Sequence, residues 1–177
     1  MRIALGIVAL LVLLVVIVVG IGYALPVKHR ATRVITLQAP ADTIYGLITN
    51  AAVFSEWRPR VKRVEQIPRQ DGVVSYREIG DDGNILYVVD EATSGKRHVT
   101  RIADDKLPFG GKWTFEITTT DVTPNGPSTQ LRITEDGEVY NPVFRFMSRF
   151  VFGHYASIET YLGDVARKFG QPATILP

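Results

Sequence analysis

The sequence predicts an α+β domain behind a membrane-spanning helix: a curved antiparallel sheet of about seven strands, a long carboxy-terminal helix, and two short helices after the first strand. Three observations carry this prediction. Between Ile3 and Val27 the chain has no charged residue. Between positions 30 and 140 it offers strand-length segments rich in Val, Ile, Thr and aromatic residues, most of them separated by turn chemistry. From Asn141 to Gly170 its apolar residues recur on a helical period.

The apolar run IALGIVALLVLLVVIVVGIGYAL reaches roughly 34 Å as a helix, enough for about 30 Å of hydrocarbon. The rival reading is a cleaved signal peptide, with Arg2 as its charged start and Gly22-Tyr23-Ala24 as a small-residue cleavage site. Against it stand an apolar core longer than a signal peptide needs, and Tyr23, Lys28, His29 and Arg30, placed as an interfacial anchor. The chain is therefore expected in a cell membrane as a single-pass protein. Arg2 and the amino terminus against Lys28, Arg30 and Arg33 differ by one charge, which sets no orientation.

RATRVITL (30–37) reads as the first strand, and short helices follow over about 41–50 and through Ala52 to Trp57. Six further strands are expected at 61–67, 73–79, 85–91, 96–103, 112–120 and 129–140. Their connections include Gln70-Asp71-Gly72, Asp81 to Asn84, Ser94-Gly95, Pro108 to Gly111 and Pro124-Asn125-Gly126-Pro127, turns short enough to make successive strands antiparallel. Glu135, Asp136 and Glu138 around Gly137 suggest a bulged strand end. In the last segment Phe144, Met147, Val151, Tyr155, Ile158, Leu162, Val165 and Phe169 share one stripe, with Pro142 at the start and Gly170 and Pro172 at the stop. A helix of about 27 residues is roughly 40 Å long and calls for a broad sheet as its partner. The resulting organisation is an anchor over 1–27, a domain over 28–170 and a tail over 171–177.

Composition narrows the function. Twenty Lys and Arg against 18 Asp and Glu leave a net charge of +2, with no basic stretch dense enough for a nucleic-acid footprint. The absence of cysteine excludes disulfides, thiolate catalysis and Cys-ligated metals. His29, His98 and His154 have no metal-ligand spacing, so neither metal nor cofactor is expected. Phosphate-cradling loops, nucleophile elbows and dinucleotide fingerprints are lacking.

The passages APADTIYGLITNAAVFSEWRPRVKRVE (39–65), GGKWTFEI (110–117) and ITEDGEVYNPVFRFMSRFVFGHYASIETYLGDV (133–165) resemble the START-like superfamily, often labelled SRPBCC, and within it the polyketide cyclase/dehydrase-like group. The resemblance runs from Thr32 to about Gly170 and implies the helix-grip fold with a cavity for a hydrophobic or amphipathic small molecule. It does not by itself assign an activity, because folds of this kind carry many functions.

Three functional readings follow. The first is membrane-tethered binding or transfer of a lipid or other hydrophobic molecule, with Trp57, Tyr76, Tyr87, Trp113, Phe109, Phe144 and Tyr155 around the cavity. The second is a cyclase- or hydrolase-like enzyme using Glu78, Asp90 and His98, whose strand parity lets them face inward, where burial shifts a titratable group toward acid or base work. The third is a membrane-tethered interaction module with a filled core. Arg58, Arg60, Lys62 and Arg63 form a local basic cluster suited to solvent or to anionic headgroups. Phe146, Phe150 and Phe152 make the first half of the long helix apolar nearly all round. Something must cover that half, and the expected cover is the two short helices with the 108–111 loop, Phe109 acting as a movable lid.

Overall fold

The computed structural model describes residues 2–123 and 126–177. Helix α1 (Arg2–Ala24) is joined through three residues to β1 (Lys28–Gln38). Helix α2 (Ala41–Thr49), a 3-10 turn at Ala51–Val53 and the single-turn α3 (Phe54–Trp57) lead into β2 (Val61–Gln66), β3 (Ser75–Gly80), β4 (Gly83–Thr93), β5 (Arg97–Ile102), β6 (Phe109–Thr123) and β7 (Gly126–Val139). From β2 to β7 successive strands pair antiparallel, β1 lies beside β7, and the two-residue β8 (Ile175–Leu176) adds to the far side of β1, giving the order β2-β3-β4-β5-β6-β7-β1-β8. The turn expected at Pro124 and Asn125 lies outside the described residues.

Strand alternation selects one inner face. Ile35 and Leu37 of β1, Leu131 and Ile133 of β7, and Phe115 and Ile117 of β6 are buried with Ile44, Ile48, Phe54 and Trp57 from the short helices. Over them lies α5 (Ala156–Lys168), contributing Ile158, Tyr161, Leu162, Val165 and Ala166. The residues after Gly170 are not a loose tail. The Gln171 side-chain amide accepts from the Gln38 backbone N–H at 2.9 Å and donates to the Gln38 carbonyl at 3.1 Å, and β8 (Ile175–Leu176) pairs with the edge of β1. That pairing covers an edge otherwise left with open hydrogen-bonding groups.

The helical stretch 141–170 is broken, whereas its periodicity predicts one continuous helix. Asn141 caps the short α4 (Pro142–Met147), its side-chain oxygen accepting from the Val143 and Phe144 N–H groups at 2.9 and 3.3 Å. A π-helical turn follows over Ser148–Phe152, and Gly153 at φ +75° ends it before α5 begins. A left-handed conformation there suits glycine and stops a right-handed helix. Periodicity records which side chains avoid water and not what covers them. Ile158, Leu162 and Val165 pack under the sheet, while Phe144, Val151 and Tyr155 of the same stripe remain exposed.

Leu162 is fully buried between α5 and the sheet, so Leu162→Ala is expected to cost about 2–5 kcal/mol, read by urea unfolding of the detergent-solubilised chain. Phe152→Ala, at a side chain 63% exposed, is expected to shift the same midpoint hardly at all.

Candidate functional site

Between α3, α5 and the sheet, aromatic rings form a continuous wall. Trp57 meets Phe54 and Tyr161 edge-on at 5.8 and 5.4 Å, Tyr161 reaches Trp113 and Phe115 at 5.7 and 5.5 Å, and Tyr76 stacks on Tyr87 at 5.5 Å. Strand parity places them: Tyr76 lies opposite Tyr87, and His98 opposite Phe115, on the inner face. Tyr87 and Trp113 pack against this core and keep part of their surface accessible.

One ion pair sits in this wall. Both Glu78 oxygens accept from the Arg58 guanidinium, at 2.6 and 3.0 Å, and that guanidinium lies over the rings of Phe54 and Tyr161 at about 5 Å. Burial works to lower the Arg58 pKa, but the Glu78 carboxylate more than offsets it, so the guanidinium stays charged. Burial holds the Tyr76, Tyr87 and Tyr161 hydroxyls well above the usual phenol range, so all three remain protonated. None of the three has a hydrogen-bond partner among the described residues.

Other polar atoms in this interior also lack partners. Trp57 Nε1, His98 Nδ1 and a Glu135 oxygen are buried and unbonded. Each is close to the same rings: Trp57 touches Tyr161, His98 lies 5.9 Å from Phe115, and Glu135 stands opposite Trp113 across the β6–β7 ladder. Buried polar groups in native folds are nearly always satisfied, so three orphans around one aromatic cluster are unusual for plain core.

The acid/base residues named from the sequence do not converge. Asp90 is exposed: with Tyr87 and Val89 on the inner face, alternation turns Leu86, Val88 and Asp90 to the opposite face, and the carboxylate pairs with Arg101 at 3.1 Å on the solvent side. Glu78 is inward and committed to Arg58. His98 is inward and buried, its pKa lowered to about 4 by burial alone, which leaves it neutral near pH 7 without a carboxylate to orient it. Of the residues assigned to binding, Trp57, Tyr76, Tyr87 and Trp113 do meet in the interior. Phe109 does not act as a loop lid, because it opens β6 and pairs with Val139. Phe144 and Tyr155 are 51% and 41% exposed on the outside of the fold. The basic cluster is neutralised residue by residue, Arg60 by Asp82, Lys62 by Asp81 and Arg63 by Glu65.

A polar group at the α1 end of the inner face has no counterpart in the sequence reading. His29 and His154 stack at 4.2 Å, His29 Nε2 lies 3.4 Å from Glu135, and His154 Nδ1 is 3.0 Å from the Ser148 hydroxyl. Burial, with His29 and Arg149 nearby, lowers the His154 pKa. Gly137 makes room here: a Cβ would lie 2.3 Å from the His29 ring, so the glycine serves close approach within a regular ladder and not a bulge. Parity was the missed signal, since His29 has the parity of Ile35 and Glu135 that of Ile133. Among the described residues no group of His, Asp and Glu is arranged to hold a metal. Two open clefts of about 700 and 660 Å³ lie elsewhere, one lined by residues such as Lys28, Arg101 and Glu138, the other by Asp42, Lys96 and Arg97. Neither is an enclosed cavity in the aromatic interior.

Two measurements check this account. Arg58→Met and Glu78→Leu are each expected to destabilise the chain by about 3–5 kcal/mol, and the double variant by less than either, because each single change strands a buried charge. For His98, the unfolded chain binds its proton near pH 6.5 and the folded chain only near pH 4, so stability falls as pH drops through that window. His98→Leu is expected to flatten the difference in urea midpoint between pH 7 and pH 4.5; an unchanged difference would show that His98 does not titrate this way.

The fold recurs in solved structures of low sequence identity. A START superfamily protein from Mycobacterium smegmatis superposes with a TM-score of 0.63 at 18% identity, over 80% of this chain and 97% of that one. The Zhui aromatase/cyclase from Streptomyces sp. R1128 gives 0.61 at 14% identity, over 81% and 94%. A conserved protein from Geobacillus kaustophilus gives 0.62 at 14% identity, over 84% and 100%. At such identities these likenesses establish the helix-grip architecture and nothing finer. No curated protein is significantly similar in sequence. The model of the family described as polyketide cyclase/dehydrase and lipid transport matches residues 28–165, from the first residue of β1 into α5, and the chain is a member of that family.

Proposed function

We propose that this protein is a membrane-tethered binder of an apolar small molecule carrying at least one polar group, held between the inner face of the sheet and α5. Membership of the family supports a ligand-binding or cyclase role. The observation that favours binding is the pair of unsatisfied buried polar atoms, Trp57 Nε1 and His98 Nδ1, set along one aromatic wall that also carries three tyrosine hydroxyls without a hydrogen-bond partner among the described residues. Aromatic surface supplies affinity, and a few polar heads supply orientation. A purely packed core would satisfy or omit those heads. Helix α1 supports the tether: its 23 residues are long and apolar enough to cross a membrane, and none of its most apolar window is buried against the domain. Residence at a bilayer would raise the encounter rate with lipid-soluble ligands.

Trp57 and Trp113 are the only tryptophans, and both face the proposed site. Titrating nanodisc-embedded protein with cis-parinaric acid is expected to give saturable energy transfer from them. Tyr87→Phe is expected to weaken the apparent affinity about 3- to 10-fold, the worth of one hydrogen bond. Transfer that rises linearly with probe, as for simple partitioning into lipid, would reject the binding reading.

A further inference from the structure

The apolar half of the broken helix is left uncovered by the rest of the domain, and what it touches is α1. A Cβ on Gly22 would lie 2.0 Å from the Pro142 carbonyl oxygen, so the two backbones are in direct contact and only glycine fits. Arg145 donates from Nη1 to the Leu25 carbonyl at 2.9 Å and sits 5.9 Å from the Tyr23 ring, tying α4 to the last turn of α1. From that junction the chain presents Val143, Phe144, Phe150, Val151 and Phe152 outward, 40–63% exposed. Exposed cations lie close to that junction in the chain: Arg149 next to Phe150, and Lys28 and Arg30, which pair with Glu138 and Asp136 at 3.6 and 3.5 Å.

We infer that residues 143–152 are a second membrane contact, a short segment lying in the interfacial layer of the bilayer beside the point where α1 leaves it. This rests on the reading of α1 as a span. Five large apolar side chains exposed along ten residues make an uncommon surface for water, and their continuity with an apolar helix fixes which solvent meets them. Phenylalanines with an exposed arginine, Arg149, adjoining them match the composition of an interfacial segment. The placement also accounts for the break in the helix. Gly153 lets the chain leave the membrane plane and turn into α5 over the sheet, so the sole hinge between α5 and α4 stands at the lipid surface, next to the His29–His154 stack.

The chain has no native cysteine, so single-cysteine variants carry an environment-sensitive NBD label without background. Phe152→Cys and, independently, Phe144→Cys are labelled in the full chain reconstituted into phosphatidylcholine vesicles, with Val12→Cys and Thr119→Cys as references for the mid-span and for water. Labels at 144 and 152 are expected to emit to the blue of the label at 119. They should be quenched at least twofold more strongly by shallow nitroxide lipids than by deep ones, with the order reversed at 12. A deep label at 12 with labels at 144 and 152 that match 119 and are quenched by aqueous iodide overturns this inference and leaves the span intact. A label at 12 that deep nitroxides do not reach overturns both readings.

Discussion

The eleven-residue antiparallel ladder between β1 and β7 is the constraint on which the other features depend. It pairs Lys28 with Glu138 at one end and Gln38 with Ser128 at the other, so the start of the domain is hydrogen-bonded to its last long strand. Because three residues join α1 to β1, and two join β7 to α4, that register alone brings the two helices together and sets Gly22 against Pro142. The same register places His29 over Gly137 and Ala31 across from Glu135, and seats α5 on the face that carries Ile35 and Leu131. A slip of one residue would turn every one of these side chains to the other face.

The interior combines a strong hydrophobic payload with polar groups that the fold does not fully satisfy. Ile35, Leu37, Leu131, Ile133, Leu162 and Val165 supply burial without polar cost along the β1, β7 and α5 side. Toward β3, β4 and β5 the composition changes to Tyr76, Tyr87, His98 and Thr100, with the Arg58–Glu78 pair between Phe54 and Tyr161. A buried ion pair adds little net stability compared with apolar residues of like volume, and its retention is more readily explained by what it positions. Here it holds the guanidinium flat against two rings and fixes the end of α3 to β3, which keeps Trp57 at the rim of the aromatic wall.

The seven long strand segments, their antiparallel succession from β2 to β7 and the buried half of α5 were legible in the chain because period-2 and period-3.6 patterns are local consequences of having one wet and one dry side, whereas the pairing of β1 with β7 and the short β8 were not. Trp113 shares the inner face with Phe115 and Ile117 by the same alternation, whereas Trp57 lies on the single-turn α3, which has no period to read. Asp90 misled because alternation alone does not say which face of β4 is dry, and the pairing of Tyr87 with Tyr76 turns Leu86, Val88 and Asp90 to the opposite face; Phe109 misled because Gly110 and Gly111 look like a loop until β7 is there to pair with them.

The sequence by itself determined an apolar span, a sheet with one dry face, an amphipathic helix to cover it and a chain without cysteine or a metal-spaced histidine set. These are properties of segments, set by residues within a few turns of one another. Only the tertiary structure decided what each apolar surface is dry against. Phe144, Val151 and Ile158 share one helical stripe, yet Ile158 faces the sheet and the other two face outward beside α1, because Gly153 turns the chain between them. Likewise Arg58 and Glu78, twenty positions apart, and His29 and His154, at opposite ends of the domain, became pairs only through the closure of the sheet, a long-range pairing that no local pattern encodes.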